Sequence, residues 1–563
     1  MANQRSFNSL RHLLWNLDGR PYPAYRSIRG DYADSETTLK VDHVQGDPFA
    51  APSRVRYRLK HGLVLNDDPE TRRACADFVH RVLETRLRSR HRGPGSGRSG
   101  VVNIPIPGQE ILERSAVTVD GSGYVEIRLQ VGLPASGRRA LGNRAAEIVC
   151  DELPDLLKQL LEHLDRQALT AHIQCLEDSV HLRNQLEELE LVAFVADGSS
   201  LARRSGNDAR RLDHGQAFRS PDSLAVDLES RHRGKIRGMG IPVGVTLIVG
   251  GGYHGKSTLL RALALGVYDH VPGDGREAVV TRPDVMKVRA EDGRSVRGVD
   301  VSAFIGSLPG GQPTNTFSSD EASGSTSQAA AIIEAIELGA KAILLDEDTS
   351  ATNLLIRDDR MRQLIPAASE PLIPLRERIA WMRHHHGCSL LMVMGGSGDY
   401  FDIADTVIAM EHYQARDRGA EARAIAARLP TDDRTARQSP TPLRRRVIEG
   451  LEFSAGSRAK RVRLDAVDRV SVDDRRIDLG GLEQLVEENQ TRCVAQLVAA
   501  YHQRMADKDI ATAVAELEAH LASGLHRATD HGDWSRPRRL EIGAVLNRMR
   551  ALRITTAKPD AAS

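Results

Sequence analysis

The spacing of apolar residues changes along the chain and divides it into regions of different predicted structure. Apolar residues recur every three to four positions from Ala145 to Leu164 and from Leu169 to Leu191, which predicts long helices, and another helix is predicted from Asp68 to about Arg90. Val101–Ile106 and Tyr124–Val131 are typical of strands. This first part of the chain therefore predicts a mixture of helices and strands.

A polar, arginine-rich stretch from Gly198 to His214 follows, which we interpret as a linker. From about residue 222 to Met410, short apolar runs alternate with helical patterns, which is typical of an α/β unit with a largely parallel sheet. Amphipathic helices are predicted again from Gly481 to Leu552. The predicted fold class is α/β, with an α+β N-terminal domain over residues 1–210, a central α/β domain over 211–415 and a basic, mainly helical C-terminal domain over 416–563.

One segment of the central region predicts a nucleotide site. The apolar run Val243–Val249 leads into Gly-Gly-Gly-Tyr-His-Gly-Lys-Ser-Thr and then the apolar helix Leu259–Leu265, so the motif G-x-x-x-x-G-K-S lies between a strand and a helix. Glycine amides surround phosphate oxygens, the lysine contacts the β- and γ-phosphates, and the serine hydroxyl binds Mg²⁺. A glycine-rich turn is the alternative. The predicted ligands are ATP and Mg²⁺, held by Gly250, Gly251, Gly252, Tyr253, His254, Gly255, Lys256, Ser257 and Thr258, with Lys256 also catalytic and Ser257 also a metal ligand.

A second apolar run, Lys341–Leu345, ends in the carboxylates Asp346 and Glu347, which is a Walker B pattern. We expect Asp346 to hold Mg²⁺ through water and Glu347 to orient and deprotonate the attacking water. A pair of solvated carboxylates at a strand end is the alternative. Asp348 follows directly, so the choice of base between Glu347 and Asp348 stays open.

Small and hydroxylated residues fill the segment Ala322–Gln328, which opens a predicted helix, Ala329–Leu338. Ser323 lies 23 positions before Asp346, the approximate position that the signature sequence L-S-G-G-Q takes before Walker B in ATPases of the ABC class. There the signature reaches across a dimer to the γ-phosphate of the partner's ATP. Ser350–Asn353 likewise resembles the D-loop of that class. A simple helix N-cap is the alternative interpretation of Ser323.

Taken together, the chain resembles the family of predicted ABC-class ATPases that includes a kinetoplastid mitochondrial RNA-editing factor. The resemblance implies an ABC-ATPase-like P-loop domain flanked by N- and C-terminal domains, a head-to-tail homodimer in which Ser323, Gly324 and Ser325 contact the partner's ATP, and RNA as a partner. The matching strings are Asp42–Phe49, Gly132–Ala135, Phe194–Gly198, Gly238–Leu260, Gly266–Tyr268, Gly273–Glu277, Arg289–Arg294, Ala322–Gln328, Asp346–Asn353, Gly395–Tyr400 and Arg536–Arg539.

The sequence also departs from ordinary ABC ATPases. No switch histidine follows the predicted strand Ser389–Met394, where Gly395-Gly396-Ser397 stands instead, and Gln312 is a weak candidate for the Q-loop glutamine. Only 90 positions separate Lys256 from Asp346, which leaves little room for a helical subdomain. We therefore expect hydrolysis to be slow or timed by another group. Ser397 is a candidate γ-phosphate contact, with a strand-to-helix turn as the alternative.

Charge and composition limit the classes of partner that the chain can bind. The 563 residues include 77 basic and 76 acidic side chains and only 4% aromatics, which excludes a globally basic nucleic-acid coat and disfavours extended base-stacking platforms. Basic clusters lie at Arg86–Arg98, at Arg434–Arg463 and from Arg536 to Arg553. They predict RNA contact to the backbone with low sequence specificity, or else a solubilising surface. Arg276 and Arg294, each in an Asp-Gly turn pattern, either close hairpin turns or contact phosphates.

The scattered cysteines predict free thiols in a reducing cytoplasm, and no apolar run is long enough to cross a bilayer. We therefore predict a cytoplasmic ATPase with no membrane partner that hydrolyses ATP at a dimer-shared site to drive conformational change, acting on RNA. An ATP-gated nucleic-acid-binding clamp with little hydrolysis is the alternative. A P-loop kinase for small molecules is a third hypothesis, against which the signature-like segment argues.

Overall fold

The computed structural model describes residues 5–60, 62, 68–90, 93, 95–206, 208–357, 359–365, 370–429, 443–452, 462–466, 468–472 and 475–556. These residues form two compact units. One comprises the described residues of Met1–Glu177 and of Leu521–Arg536, and the other those of Asp178–His520 and of Pro537–Ser563. The predicted three-domain division at residues 210 and 415 stays a prediction, because compactness alone does not define a folding domain.

The α-helices are α1 Phe7–Trp15, α2 Pro69–Arg88, α3 Gly142–Ala146, α4 Leu153–Glu162, α5 Arg166–Gln185, α6 Lys256–Leu265, α7 Gly324–Glu337, α8 Thr352–Leu355, α9 Asp359–Leu364, α10 Ile379–His386, α11 Gly419–Arg428, α12 Glu488–Tyr501, α13 Ile510–Ala522, α14 Leu525–Ala528 and α15 Arg539–Asn547. The strands are β1 Arg5–Ser6, β2 Gly30–Ala33, β3 Thr37–His43, β4 Ser53–Lys60, β5 Val102–Asn103, β6 Val117–Val119, β7 Tyr124–Val131, β8 Ala135–Ser136, β9 Arg139–Ala140, β10 Leu191–Ala196, β11 Arg203–Ser205, β12 Asp208–Arg211, β13 Ala225–Ser230, β14 Gly234–Pro242, β15 Val245–Val249, β16 Val279–Thr281, β17 Val285–Lys287, β18 Arg294–Val299, β19 Phe317–Ala322, β20 Ala342–Asp346, β21 Ser389–Met394, β22 Thr406–Glu411, β23 Gln414–Asp417, β24 Arg446–Leu451, β25 Val462–Ala466, β26 Arg469–Val472, β27 Arg475–Asp478 and β28 Leu552–Thr556.

The first unit is built on a seven-stranded sheet of order β1-β2-β3-β4-β7-β5, with β6 also paired to β7. The predicted strand Tyr124–Val131 forms as β7, whereas the run Val101–Ile106 pairs only over Val102–Asn103. Proline at positions 105 and 107 explains the difference, since proline has no N–H for a sheet ladder. The predicted helix from Asp68 forms as α2, with the Asp68 carboxylate accepting a hydrogen bond from Thr71 N at 2.8 Å.

The second unit contains a six-stranded sheet of order β17-β20-β21-β15-β22-β23, in which only the β22–β23 pair is antiparallel. Its parallel strands are runs of Val, Ile, Leu and Met that are almost wholly buried, as expected for a sheet covered on both faces. The α/β fold class with its P-loop core is therefore confirmed. A second sheet, of order β13-β14-β10-β16, belongs to the same unit.

Three features of this unit differ from or extend the expectations. The stretch Gly198–His214 contains the hairpin β11–β12, and Arg203 on it forms a buried ion pair with Asp274 at 2.6 Å, so this stretch is more than a linker. All of residues 266–341 are described, and α7 is their one α-helix, so no helical subdomain lies between α6 and β20. In the C-terminal region, the predicted helices form as α12–α15, and strands β24–β28 accompany them.

All five cysteines are free thiols, as predicted, while the cytoplasmic location inferred from them stays a prediction. Within the described ranges, no helix has both the length and the apolar character that a bilayer crossing requires.

Candidate nucleotide site

The loop between β15 and α6 has the backbone geometry of a phosphate-binding turn. Gly250 has φ 135°, and a Cβ added to it would lie 2.4 Å from the carbonyl oxygen of Met410, so this position requires glycine. Gly255 has φ 96° and occupies the N-cap of α6. The N–H groups of the first helical turn therefore open into the loop, together with the positive end of the helix dipole.

The side chain of Lys256 folds back over this loop. Its Nζ atom donates hydrogen bonds to the carbonyl oxygens of Gly250 and Gly251, each at 2.8 Å. The same Nζ lies 3.6 Å from the point at which a Cβ on Gly395 would stand. The ammonium group is thus held between the loop and the end of β21, where a phosphate chain would replace neutral carbonyl acceptors with negatively charged ones.

The two predicted carboxylates lie at the same edge of the sheet. Asp346 ends β20, is 4% exposed, and pairs in register with Val393, while Val249 at the end of β15 pairs with Met394. Because β21 lies between β20 and β15, the ends of the two motif-bearing strands are two strand spacings apart, or about 10 Å. The P-loop and the Walker B carboxylate therefore lie at one edge of the sheet.

Glu347 is held by the backbone that follows β21. Its Oε2 atom accepts hydrogen bonds from Gly396 N at 3.0 Å and from Gly395 N. A Cβ atom built onto Gly395 would lie 3.5 Å from Glu347 Oε2 and 3.6 Å from Lys256 Nζ. The carboxylate and the ammonium therefore face one small region. Asp348, the other candidate base, instead donates its N–H to Asp346 Oδ1 at 3.3 Å.

The signature-like segment lies at the start of α7. Ser323 occupies the N-cap position and is exposed, but its hydroxyl lies 3.0 Å from Thr326 Oγ1 and 3.5 Å from Ser325 Oγ. Ser323 is therefore the N-cap residue of α7, as the alternative interpretation predicts. Its hydroxyl, however, forms no hydrogen bond with the N–H groups of the helix. Gly324 is the first residue of the helix, and both it and Ser325 are partly exposed.

Gln328 joins this segment to the D-loop-like segment. Its amide is fully buried, donates to Ser350 Oγ at 2.9 Å and accepts from Ala351 N at 2.8 Å. Sequence reasoning assigned no role to Gln328, nor to Gly395 and Gly396 as partners of Glu347. The only signals were the glutamine in the signature-like string and a Gly-Gly pair directly after a predicted strand.

Most of the arginines proposed as phosphate contacts have partners within their own unit. Arg276 is buried and donates through Nε to Leu201 O at 3.2 Å, and Arg294 is buried against Glu334, so both side chains bind groups of the fold itself. The predicted hairpins are wrong, because β16 pairs with β10, β17 with β20 and β18 with β19. Arg538 pairs with Glu541 and Arg548 with Glu291. The cluster Arg434–Arg463 lies largely outside the described residues, and Arg446 within it is buried against Glu337.

The remaining candidates make local contacts. Gln312 Nε2 donates to Ser318 O at 3.3 Å, across the connection between β18 and β19. Ser397 Oγ accepts from Asp399 N at 3.2 Å, which is the contact of a turn. Among the residues described, no cluster of three or more His, Cys, Asp or Glu side chains is arranged to hold a metal. A Mg²⁺ ion held by Ser257, Asp346, waters and nucleotide phosphates fits this arrangement, because Mg²⁺ rarely uses an all-protein cage.

Comparison with known proteins places this geometry in a family. Residues 7–164 match the model described as "ATPase of the ABC class N-terminal", residues 165–446 the model of the ABC ATPase P-loop domain, and residues 461–555 the model described as "MRB1590 C-terminal domain". An uncharacterized protein of Methanocaldococcus jannaschii, MJ1628, is 30% identical over 280 residues. That alignment covers 48% of this chain and 60% of the relative's length.

Similar solved structures include parts of ABC transporters. The ADP conformation of MJ1267, an ATP-binding cassette of an ABC transporter, is 14% identical with a TM-score of 0.23 and covers 34% of this chain and 87% of that one. The cbiO1 protein of Clostridium perfringens is 16% identical with a TM-score of 0.25, covering 43% and 96%. Since the P-loop model alone spans half of the sequence and the N-terminal model adjoins it, the chain belongs to the family of ABC-class ATPases, whose P-loop domain binds ATP.

Proposed function

We propose that this chain hydrolyses Mg-ATP at a site shared between two copies and uses the cycle to change the arrangement of its domains. The observation that carries the proposal is the meeting of Lys256 and Glu347 beside Gly395, at the edge where β15, β20 and β21 end together. Chemistry at a γ-phosphate needs a cation on the phosphates and a carboxylate for the attacking water, and these two side chains supply both.

The proposed reaction assigns one task to each group. Lys256 leaves the carbonyls of Gly250 and Gly251 and binds the β- and γ-phosphates. Glu347 orients a water molecule and accepts its proton, while the water oxygen forms a bond to γ-phosphorus and the bond to the β,γ-bridging oxygen breaks. Ser257 and Asp346 would hold Mg²⁺, which would supply neutralisation of the charge that develops on the departing diphosphate.

The second half of each site is proposed to come from the partner copy. Ser323, Gly324 and Ser325 would contact the γ-phosphate of the other chain, as the family resemblance implies. Ser323 is exposed and the N–H groups of the 14-residue helix α7 begin there, which supports a role as an anion contact. Closure of the dimer on ATP and opening after hydrolysis would move the N- and C-terminal domains.

RNA is proposed as the macromolecular partner because the C-terminal region matches the model described as "MRB1590 C-terminal domain". Binding should be mainly to phosphates and should weaken steeply with salt. A filter-binding titration at several salt concentrations tests this, and a Kd that is independent of salt contradicts it. The alternative, an ATP-gated clamp with little hydrolysis, is favoured by one observation: Lys256 and Glu347 are both engaged by backbone groups.

The decisive experiment measures nucleotide binding and phosphate release in the same variants. We expect Glu347→Gln to bind Mg-ATP but to lose at least 100-fold in turnover, within the range typical of a general base. Asp348→Asn is the matched control and should keep its turnover, while Lys256→Ala should lose binding. Equal turnover in Glu347→Gln and the unmodified chain would remove the proposed base, and only ATP binding with almost no turnover in either chain would favour the clamp.

A further inference from the structure

A short segment between β17 and β18, Ala290–Gly293, is bonded to the chain beside both the D-loop-like and the signature-like segments. Ala290 N donates to Thr349 O at 2.9 Å, directly before the D-loop-like segment. Gly293 N donates to Ala322 O at 2.9 Å, directly before the signature-like residues. A displacement of this connecting segment would therefore act on both.

Ser327, in the first turn of α7, bonds the same connection to the signature-like residues. Ser327 is fully buried, and its hydroxyl donates to Gly324 O at 2.9 Å and accepts from Glu291 N at 2.9 Å. Ser327 N in turn donates to Ser323 O at 2.8 Å. The backbone of Glu291 is thus joined through one side chain to the start of α7.

The carboxylate of Glu291 is held by the C-terminal region. Arg548, the C-cap residue of α15, donates through Nε to Glu291 Oε2 at 3.1 Å and through Nη2 to Glu291 Oε1. Its Nη1 donates to Ala544 O at 2.9 Å, so the guanidinium joins the last turn of α15 to Glu291. A Cβ on Gly481 would overlap the same carboxylate, so Glu291 is packed directly against the backbone of the C-terminal region.

This ion pair is buried and charged. The side chain of Arg548 is 5% exposed and that of Glu291 is 15% exposed. Burial alone would raise the pKa of Glu291, but the charge of Arg548 outweighs burial and holds the pKa below its ordinary value. A buried pair contributes little net stability compared with a well-packed apolar pair, whereas its two parallel hydrogen bonds impose one geometry. The main effect of the pair is therefore on position.

We propose that Arg548 is a positioning residue for the dimer-shared site: through Glu291 and Ser327 it holds Ser323–Ser325 in the orientation that meets the partner's γ-phosphate. The inference rests on the proposed function and adds the C-terminal region to the site. Arg548 acts on the signature-like side alone. Its loss should therefore damage the site that contains the partner's P-loop and spare the P-loop of its own chain.

Mixing experiments reveal which side of a shared site a variant damages. Arg548→Met should bind Mg-ATP like the unmodified chain in calorimetry, while its turnover falls about 10- to 100-fold, because small misplacements at a reacting centre have large effects. An equal mixture with Lys256→Ala should recover about one quarter of normal turnover, since each mixed dimer keeps one intact site. An equal mixture with Ser323→Arg should recover nothing, because both variants damage the same side.

Two further variants separate positioning from a general loss of structure. Glu291→Gln keeps the shape of the side chain without its charge and should divide the two mixtures in the same way, so it also serves as the test if Arg548→Met does not fold. Arg203→Met breaks the buried ion pair with Asp274 in the same unit. This control should give equal turnover in the two mixtures.

The inference and the proposed function fail in different ways. Normal turnover in Arg548→Met and Glu291→Gln, or equal turnover in their mixtures with Lys256→Ala and with Ser323→Arg, would show that the ion pair does not position the signature-like residues. The inference alone would then be wrong. If the reference mixture of Ser323→Arg and Lys256→Ala recovers no turnover, the shared site itself is wrong and the inference falls with it.

Discussion

The backbone N–H of Gly396 donates a hydrogen bond of 3.0 Å to the carboxylate of Glu347, at the position in the chain where ABC ATPases have a switch histidine. Gly395 N donates to the same oxygen. Two backbone amides thus hold this carboxylate. Since they directly follow β21, a shift of that strand end relative to β20 should move the proposed base.

A methyl group at Gly396 should displace the carboxylate without unfolding the chain. A Cβ there would lie 2.9 Å from Glu347 Oε1, the end of a flexible side chain that can move aside. We expect Gly396→Ala to lower kcat by about 10- to 100-fold with little change in nucleotide affinity, since small misplacements of a reacting group have large effects. Steady-state phosphate release gives kcat, and calorimetry with Mg-ATP gives the nucleotide affinity. Gly450→Ala is the control because its Cβ meets nothing within 4 Å, and an unchanged kcat in Gly396→Ala would contradict the role of the amides.

The shared site predicts complementation between two inactive variants. Ser323→Arg keeps its own P-loop, and Lys256→Ala keeps its own signature-like segment. A mixed dimer contains one intact site, so an equal mixture should recover about one quarter of normal turnover if exchange is random and sites act independently. Each variant alone is the baseline. A mixture that stays at that baseline would argue against a site built from two chains.

Removal of the buried amide of Gln328 should destabilise the second unit. Gln328→Met keeps the approximate shape but leaves Ser350 Oγ and Ala351 N without their partner, at a cost of about 2–4 kcal/mol in the free energy of unfolding. Urea denaturation measures this. The exposed Gln312 provides the comparison, since Gln312→Met should change stability by roughly 0.5 kcal/mol or less. Similar losses in both variants would mean that the buried amide has no special role.

The stability of the first unit should depend on pH through Asp77. Burial alone would raise the pKa of this fully buried carboxyl, but the charges of Arg81 and Arg114 outweigh burial and hold the pKa well below its ordinary value. A depressed folded-state pKa contributes stability above the unfolded pKa of about 4, and that contribution is lost as pH falls towards the folded value. Asp77→Asn should therefore cost about 3–5 kcal/mol at pH 7, because it removes the buried negative charge that faces Arg81 and Arg114.

The pH series for this variant needs a signal from the first unit. Trp15 and Trp534 belong to it and Trp381 does not, so a Trp381→Phe background lets tryptophan fluorescence follow its unfolding. The stability difference between the background chain and the same chain carrying Asp77→Asn should shrink below about pH 4, where the native carboxyl loses its advantage. A difference that is constant from about pH 7 to pH 3 would show that charge pairing is not its cause.

Local patterns in the sequence were sufficient for the phosphate loop and the carboxylate pair. The run Val245–Val249, the glycines after it and the helix from Lys256 are contiguous, and each follows from short-range conformational preferences. Asp346 and Glu347 end an apolar strand, so their position at a sheet edge could also be predicted. Arg276 and Arg294 show the limit of this approach, because charge alone suggested a phosphate contact and burial decided otherwise.

The sequence by itself thus determined which residues form the P-loop, the helix that follows it and the carboxylate pair at the end of β20. Only the tertiary structure decided what surrounds them: the amides of Gly395 and Gly396, 48 and 49 positions from Glu347, and the turn at Tyr413 beside Gly255. These neighbours depend on the strand order β20-β21-β15-β22. The physical reason is that strand order is chosen by the packing of whole elements around one core, a long-range property that no local spacing of residues encodes.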